Sequence, residues 1–151
     1  MEYITRTAQY SDLSRIQEIY AYARRFMAET GNPNQWGNHH PPVETLIEDI
    51  EKKLLYVLEN ETGIHGVFYF YIGDDPTYGY LEGGTWRSDA LYGTIHRIAG
   101  DGSGGILGTS VTFCKSLINH IRIDTHPQAC CTCTLRAITL WIRKPTCFLL
   151  P

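Results

Sequence analysis

"GTIHRIAGDGSGGILGTSVTFC", residues 93–114, decides the fold. Residues 93–99 set Ile95 and Ile98 among small and polar neighbours and read as a strand. Residues 100–108, "GDGSGGILG", read as a glycine-rich loop, and Val111, Phe113, Cys114, Leu117 and Ile118 then follow at helical spacing. A glycine-rich turn that opens a helix points unpaired backbone N–H groups outward at the positive end of the helix dipole, so it receives a phosphate well. Glycine also lets the chain come close to an anion and take positive φ without a Cβ clash.

Two familiar phosphate signatures do not fit. The loop lacks the Lys-Ser/Thr ending of a P-loop, and its spacing is not G-x-G-x-x-G. The strand, loop and helix also arrive late, after a β-hairpin, where a dinucleotide fold would open with them.

Working outward, residues 2–7 read as a first strand. Leu13, Ile16, Ile19, Tyr20, Ala23, Phe26 and Met27 then mark a helix, with Ser11 as its expected N-cap and Gly31 as its terminator. A Pro-rich loop spans 32–42. A second helix follows with Val43, Leu46, Ile47, Ile50 and Leu54 on one face. Residues 54–60 and 64–73 make a hairpin around the turn 61–63. The loop 74–86 is long enough to be functional. Residues 120–126, "HIRIDTH", alternate as a last strand. The order is strand, two helices, three strands, helix, strand: mixed α/β around one sheet.

The chain of 151 residues favours one domain over 1–151, and its 43% hydrophobic content is that of a globular protein. A net charge of −3 gives no electrostatic reason for nucleic acid or an anionic membrane as partner. No apolar run has the length of a membrane span and the N-terminus has no signal-peptide core, so a cytoplasmic protein is expected.

Residues 2–27, 64–73, 92–114 and 120–128 together resemble the GNAT N-acetyltransferase superfamily, over about residues 2–128. The resemblance implies a three-layer acyl-CoA N-acyltransferase fold. Its central sheet is mostly antiparallel, with a parallel, splayed pair of strands four and five. It also implies acetyl-CoA as cosubstrate. Ile98, Ala99 and Gly100 would offer backbone groups to pantetheine. Gly102, Ser103, Gly104, Gly105, Ile106, Leu107, Gly108 and Thr109 would cradle the pyrophosphate. The family loop reads Gln or Arg, two residues, Gly, one residue, Gly or Ala. With Gly105 at the first glycine, Gly102 stands for the basic or amide residue and Leu107 for the last small one.

Acetyl transfer to an amine needs a base, or a water chain, for the ammonium proton and an acid for the leaving thiolate. The candidates are Glu82, His96 and His126. Each has a plainer reading: a solvated loop charge, a hydrogen-bonded residue beneath the site, and with Asp124 a strand-end cap. Trp36, Tyr78 and Trp86 line an acceptor pocket or form a lid packed on the core. Arg97 and Arg122 alternate with apolar neighbours and are expected to be exposed.

Nothing after residue 128 matches the family. Residues 129–151 contain no Gly, Asp, Glu, Asn or Tyr, and no Tyr occurs after Tyr92, so the family's usual leaving-group acid is missing. Cys130, Cys131 and Cys133 lack the paired spacing of a zinc site, and the odd total of five argues against a disulfide framework. Read one base later, the codons at Trp141 and Ile142 give glycine, and neighbouring codons can give aromatics. The tail is therefore expected to be out of frame after about Gln128. Either this tail forms makeshift structure beside strand five, or it leaves that edge open to a second copy, a homodimer.

The leading expectation is an N-acetyltransferase acting on a primary amine of a small molecule or peptide, with no metal. The alternatives are a CoA-binding or protein-interaction module with the same fold and little catalysis, and a generic nucleotide-binding α/β protein.

Overall fold

The computed structural model describes residues 2–76 and 89–123 and the backbone of a strand at 148–150. Glu82, Tyr78, Trp86, His126 and the tail cysteines lie outside the described residues.

The chain opens with β1 (Ile4–Thr7) and a 3₁₀ turn (Tyr10–Asp12) that runs into α1 (Leu13–Glu29). Asp12, not Ser11, stands at the N-terminus of α1; its Oδ2 accepts the Gln9 N–H at 2.8 Å, which locks the turn, and Ser11 lies inside it. Gly31 does end the helix: at φ 95° it lets the Asn32 N–H reach back to Met27 O at 2.8 Å. Helix α2 (Val43–Glu51) stops short of Leu54, because Lys53 takes φ 56° and turns the chain into β2 (Leu55–Asn60). β2 and β3 (Gly63–Ile72) form the expected hairpin. β4 (Gly93–Gly100), α3 (Ile106–Leu117) and β5 (Ile121–Ile123) follow, and β6 (Phe148–Leu150) ends the described chain.

The described strands form one sheet in the order β1-β2-β3-β4-β5-β6. All neighbours are antiparallel except β4 and β5, which run parallel with Gly93 opposite Ile121 and Ile95 opposite Ile123. β6 lies antiparallel on the far side of β5, Ile121 opposite Leu150. Of the two outcomes expected for the tail, this is the one in which it forms structure beside strand five.

Helices cover both faces. On one, Ile16, Ile19 and Tyr20 of α1, spaced i, i+3, i+4, join Leu46 and Ile50 of α2 against Leu55, Val57, Val67 and Ala99. Ile16 and Ile19 are fully buried, and each such side chain contributes roughly 1.5–3 kcal/mol. On the other face, Ile106 and Cys114 of α3 pack on Leu58, Phe68, Phe70, Ile95, Ile121 and Ile123. Alternation along β2 sends 55 and 57 to one helix layer and 58 to the other. Gly66 is required where α3 meets the sheet. A Cβ there would stand 2.7 Å from Ile106 Cγ2. Among the described residues no helix is long and apolar enough to cross a membrane.

Candidate active site

The loop between β4 and α3 has the geometry its glycines imply. Gly105 caps α3 in the left-handed region (φ 84°, ψ −4°), with no side chain bonded to the helix start. The first intrahelical bond runs from Thr109 N–H to Gly105 O at 3.0 Å. Helix geometry therefore leaves the N–H groups of Ile106, Leu107 and Gly108 without an intrahelical acceptor. Ile106 and Leu107 send their side chains into the protein, so they bring only backbone to the loop surface.

Two members of the expected cradle have their N–H engaged elsewhere: Thr109 as above, and Ser103, which donates to Asp101 Oδ1 at 3.1 Å. Thr109 still lines a cleft of about 560 Å³ with Glu2, Tyr3, Gly105, Gly108 and Thr112. A Cβ added at Gly104 or Gly108 would meet nothing within 4 Å, so the helix start is bare on this side. Such a surface fits a phosphate chain laid on backbone amides. Tyr3 Oη donates to Gly104 O at 3.1 Å and pins the loop to β1.

β4 itself is irregular. Val67 pairs with Ala99 but Tyr69 pairs with His96, so β4 holds one more residue than β3 across this step. The bulge falls at Arg97, which takes φ 50°. As a result consecutive residues His96 and Arg97 both reach Tyr69: the His96 ring lies 5.9 Å from it and the Arg97 guanidinium sits 4.7 Å over it. Tyr20 Oη donates to Arg97 O at 2.8 Å, and Arg97 Nη2 pairs with Asp49 of α2. Burial pushes the Asp49 carboxyl up against the opposing pull of Arg97. Burial likewise pushes the Tyr20 hydroxyl up.

Arg97 is therefore a half-buried structural cation, not an exposed sheet residue. Arg122 is only 5% exposed, its guanidinium 3.6 Å over the Tyr92 ring. In both cases an aromatic ring covers the side chain, which alternation could not foretell.

His96 is bonded to a residue the sequence did not single out. Its Nε2 lies 2.9 Å from Asp75 Oδ2 in the segment after β3, and the Asp75 N–H donates to Tyr92 Oη at 2.8 Å. A carboxylate only accepts, so Nε2 carries the proton and Nδ1 is the basic nitrogen of the neutral ring. Trp36 packs edge-on to Tyr20, ring centroids 5.7 Å apart, against the α1–α2 core. Beside it, Gln17, Tyr20, Arg24, Asn38 and His39 line a polar pocket of about 200 Å³. His40 is held below the ordinary histidine value by burial first and then by Arg97 and Arg24.

No family profile and no curated protein matches the sequence. Solved structures do. The chain is similar to an acetyltransferase of the GNAT family from Streptococcus agalactiae 2603, at 26% identity and TM-score 0.73 over 85% of this chain and 79% of that one. By fold, the chain is a GNAT-superfamily protein. A GNAT-family acetyltransferase from Listeria monocytogenes 4b F2365 matches 99% of this chain and 93% of its own length, at 19% identity and TM-score 0.70. A Brucella melitensis GNAT acetyltransferase in complex with acetyl-CoA matches 99% and 89% at 12% identity and TM-score 0.55. The parallel β4–β5 pair and the helix layers on both faces of this chain are those of the GNAT fold.

Proposed function

We propose that the chain is an acetyl-CoA-dependent N-acetyltransferase that acylates a primary amine of a small molecule or a peptide. The observation that carries this reading is the bare start of α3: Gly105 in the left-handed region, three amides without an intrahelical acceptor, and open space at Gly104 and Gly108. The Brucella neighbour, solved with acetyl-CoA, supports the same ligand.

When bound, acetyl-CoA would supply an activated thioester. Gly102 to Gly108 would hold its pyrophosphate, and Ile98 to Gly100, on the edge of β4 away from β3, would bond its pantetheine arm. Backbone N–H groups at that edge would polarise the thioester carbonyl. His96, on the same strand and bonded to Asp75, would take the proton of the attacking amine at Nδ1, directly or through water. Glu82 and His126 remain candidates for the same proton, and Trp36, Tyr78 and Trp86 for contact with the acceptor.

One feature favours the second reading, a CoA-binding or interaction module with little catalysis. Among the described residues, those lining the cleft include Glu2 and neither Lys nor Arg. Calorimetric titration with acetyl-CoA, with NAD and ATP as controls, followed by thiol release over an amine panel, separates the readings. Binding with turnover supports the enzyme, and binding without turnover supports the module. No binding of acetyl-CoA overturns the enzyme and leaves an interaction module with this fold.

A further inference from the structure

A carboxylate stands at the entrance to the proposed anion cradle. Asp101 is the first residue after β4, and its side chain is 17% exposed. Placed beside a pyrophosphate, an uncompensated charge of this sign would repel it. Its surroundings show how it is compensated. Oδ2 accepts Arg15 Nη2 of α1 at 2.7 Å and His65 Nδ1 of β3 at 2.9 Å. Oδ1 accepts the Ser103 N–H at 3.1 Å, and the Asp101 N–H donates to His65 O at 3.0 Å. The partners are themselves tied down. Arg15 Nε donates to Ile64 O at 2.9 Å, and His65 Nε2 lies 2.7 Å from Thr62 Oγ1 and 3.1 Å from Asn60 Oδ1.

We infer that Asp101 is a positioning residue of the cofactor site, and that Arg15 and His65 are its counterparts. Together they fix the path of 101–105 so that the amides at the start of α3 face the cleft. The inference rests on the reading of that loop as the CoA pyrophosphate site.

The geometry supports this role over a simple surface ion pair. Three elements remote in sequence, α1, β3 and the loop, meet on one carboxylate through charge-assisted bonds. Both oxygens are used, and one of them holds a backbone amide of the cradle itself. The β3–β4 register, Gly66 opposite Gly100, brings His65 alongside Asp101. Arg15, which also pairs with Glu18 Oε2 at 3.0 Å, offsets part of the carboxylate's charge beside the loop N–H groups. The loop has no basic side chain of its own between Asp101 and Thr109. Its affinity for phosphate thus depends on how well those N–H groups are aimed.

The sign of one substitution decides the matter. Removing a charge near an anion site should tighten binding if that charge is all Asp101 contributes. Removing a positioning group should weaken it. Asp101→Asn is expected to raise the Kd for CoA about tenfold. It should raise KM for acetyl-CoA while leaving kcat and KM for the amine nearly unchanged, and should leave the use of acetyl-pantetheine, which lacks the pyrophosphate, unaltered. Hydrogen exchange at the amides of 102–108 should quicken, while that of α1 stays the same. His65→Asn should act in the same direction with a smaller effect, and it serves if Asp101→Asn does not fold.

Equal or tighter CoA binding with unchanged loop exchange would overturn the inference. A parent protein that binds no CoA, but whose loop exchange quickens on Asp101→Asn, would sink the cofactor reading and leave the positioning role standing.

Discussion

His96 Nε2 and Asp75 Oδ2 stand 2.9 Å apart, joining β4 to the segment that leaves β3. The pair sits where the β4 bulge has turned His96 and Arg97 to the same side of the sheet. Under the proposed function, His96→Gln should lower kcat/KM about a hundredfold, the usual scale for a general base. Affinity for acetyl-CoA should hardly change. Asp75→Asn should lower kcat by about tenfold, because the amide can present its N–H and favour the wrong tautomer. Steady-state thiol release with calorimetry alongside checks both; unchanged turnover in His96→Gln would move the base elsewhere.

Gly108 and Gly66 separate stability from binding. A methyl at 108 meets nothing within 4 Å and replaces glycine inside a helix, so Gly108→Ala should stabilise the fold by up to about 1 kcal/mol. The same methyl would project into the cleft and weaken CoA binding. Gly66→Ala should do the opposite to the fold, destabilising it by about 1–3 kcal/mol as Ile106 is forced from the sheet. Denaturant melts and CoA titrations on the two variants test this, and a Gly108→Ala that keeps full affinity would remove the cleft from the site.

Asp12 gives a pH dependence with a definite sign. The Arg6 hydrogen bonds hold its carboxyl below the ordinary value against the opposing effect of burial, and the Gln9 N–H adds to them. A carboxyl lowered in the folded state contributes stability above its unfolded value, ordinarily 3.8, and loses it as pH falls through the lowered one. The parent protein should therefore exceed Asp12→Asn in stability by about 1 kcal/mol from pH 5 to 8. The gap should close in stronger acid. Thermal melts across that range would contradict the assignment if the gap were constant down to pH 2.

Cys114 should be inert. It is fully buried among Phe68, Phe70 and Ile121, and burial pushes its thiol up to about 12. A thiol reagent at pH 8 should leave Cys114 unlabelled in the native protein and label it on unfolding. Peptide mapping by mass spectrometry distinguishes this residue from the other cysteines.

How far such detail could be read in advance differs by element. The strand–loop–helix at 93–117 was legible because its signals are local: β-branched residues, then glycines, then apolar residues at helical spacing. The helix faces of Ile16, Ile19 and Tyr20, and of Leu46 and Ile50, were legible for the same reason. The β4 bulge was not. Alternation along 93–99 predicts Arg97 facing solvent, and one inserted residue turns it onto Tyr69 and Asp49. Asp75, Asp49 and His65 were missed because each is placed by pairing between segments far apart in the chain, and local sequence does not encode register. The cap at Ser11 failed more narrowly: a 3₁₀ turn over Tyr10–Asp12 takes Ser11 into its interior and hands the start of α1 to Asp12, one residue later.

The short strand β6 bears on what the chain's end is free to be. Its pairing with β5 is made by peptide groups, which every residue but proline carries alike. A ladder of that kind can be read off almost any wording. The terminal segment, so unlike the rest of the protein in composition, can therefore shield a raw sheet margin from sticking to strangers without sharing the ancestry of the strands it joins.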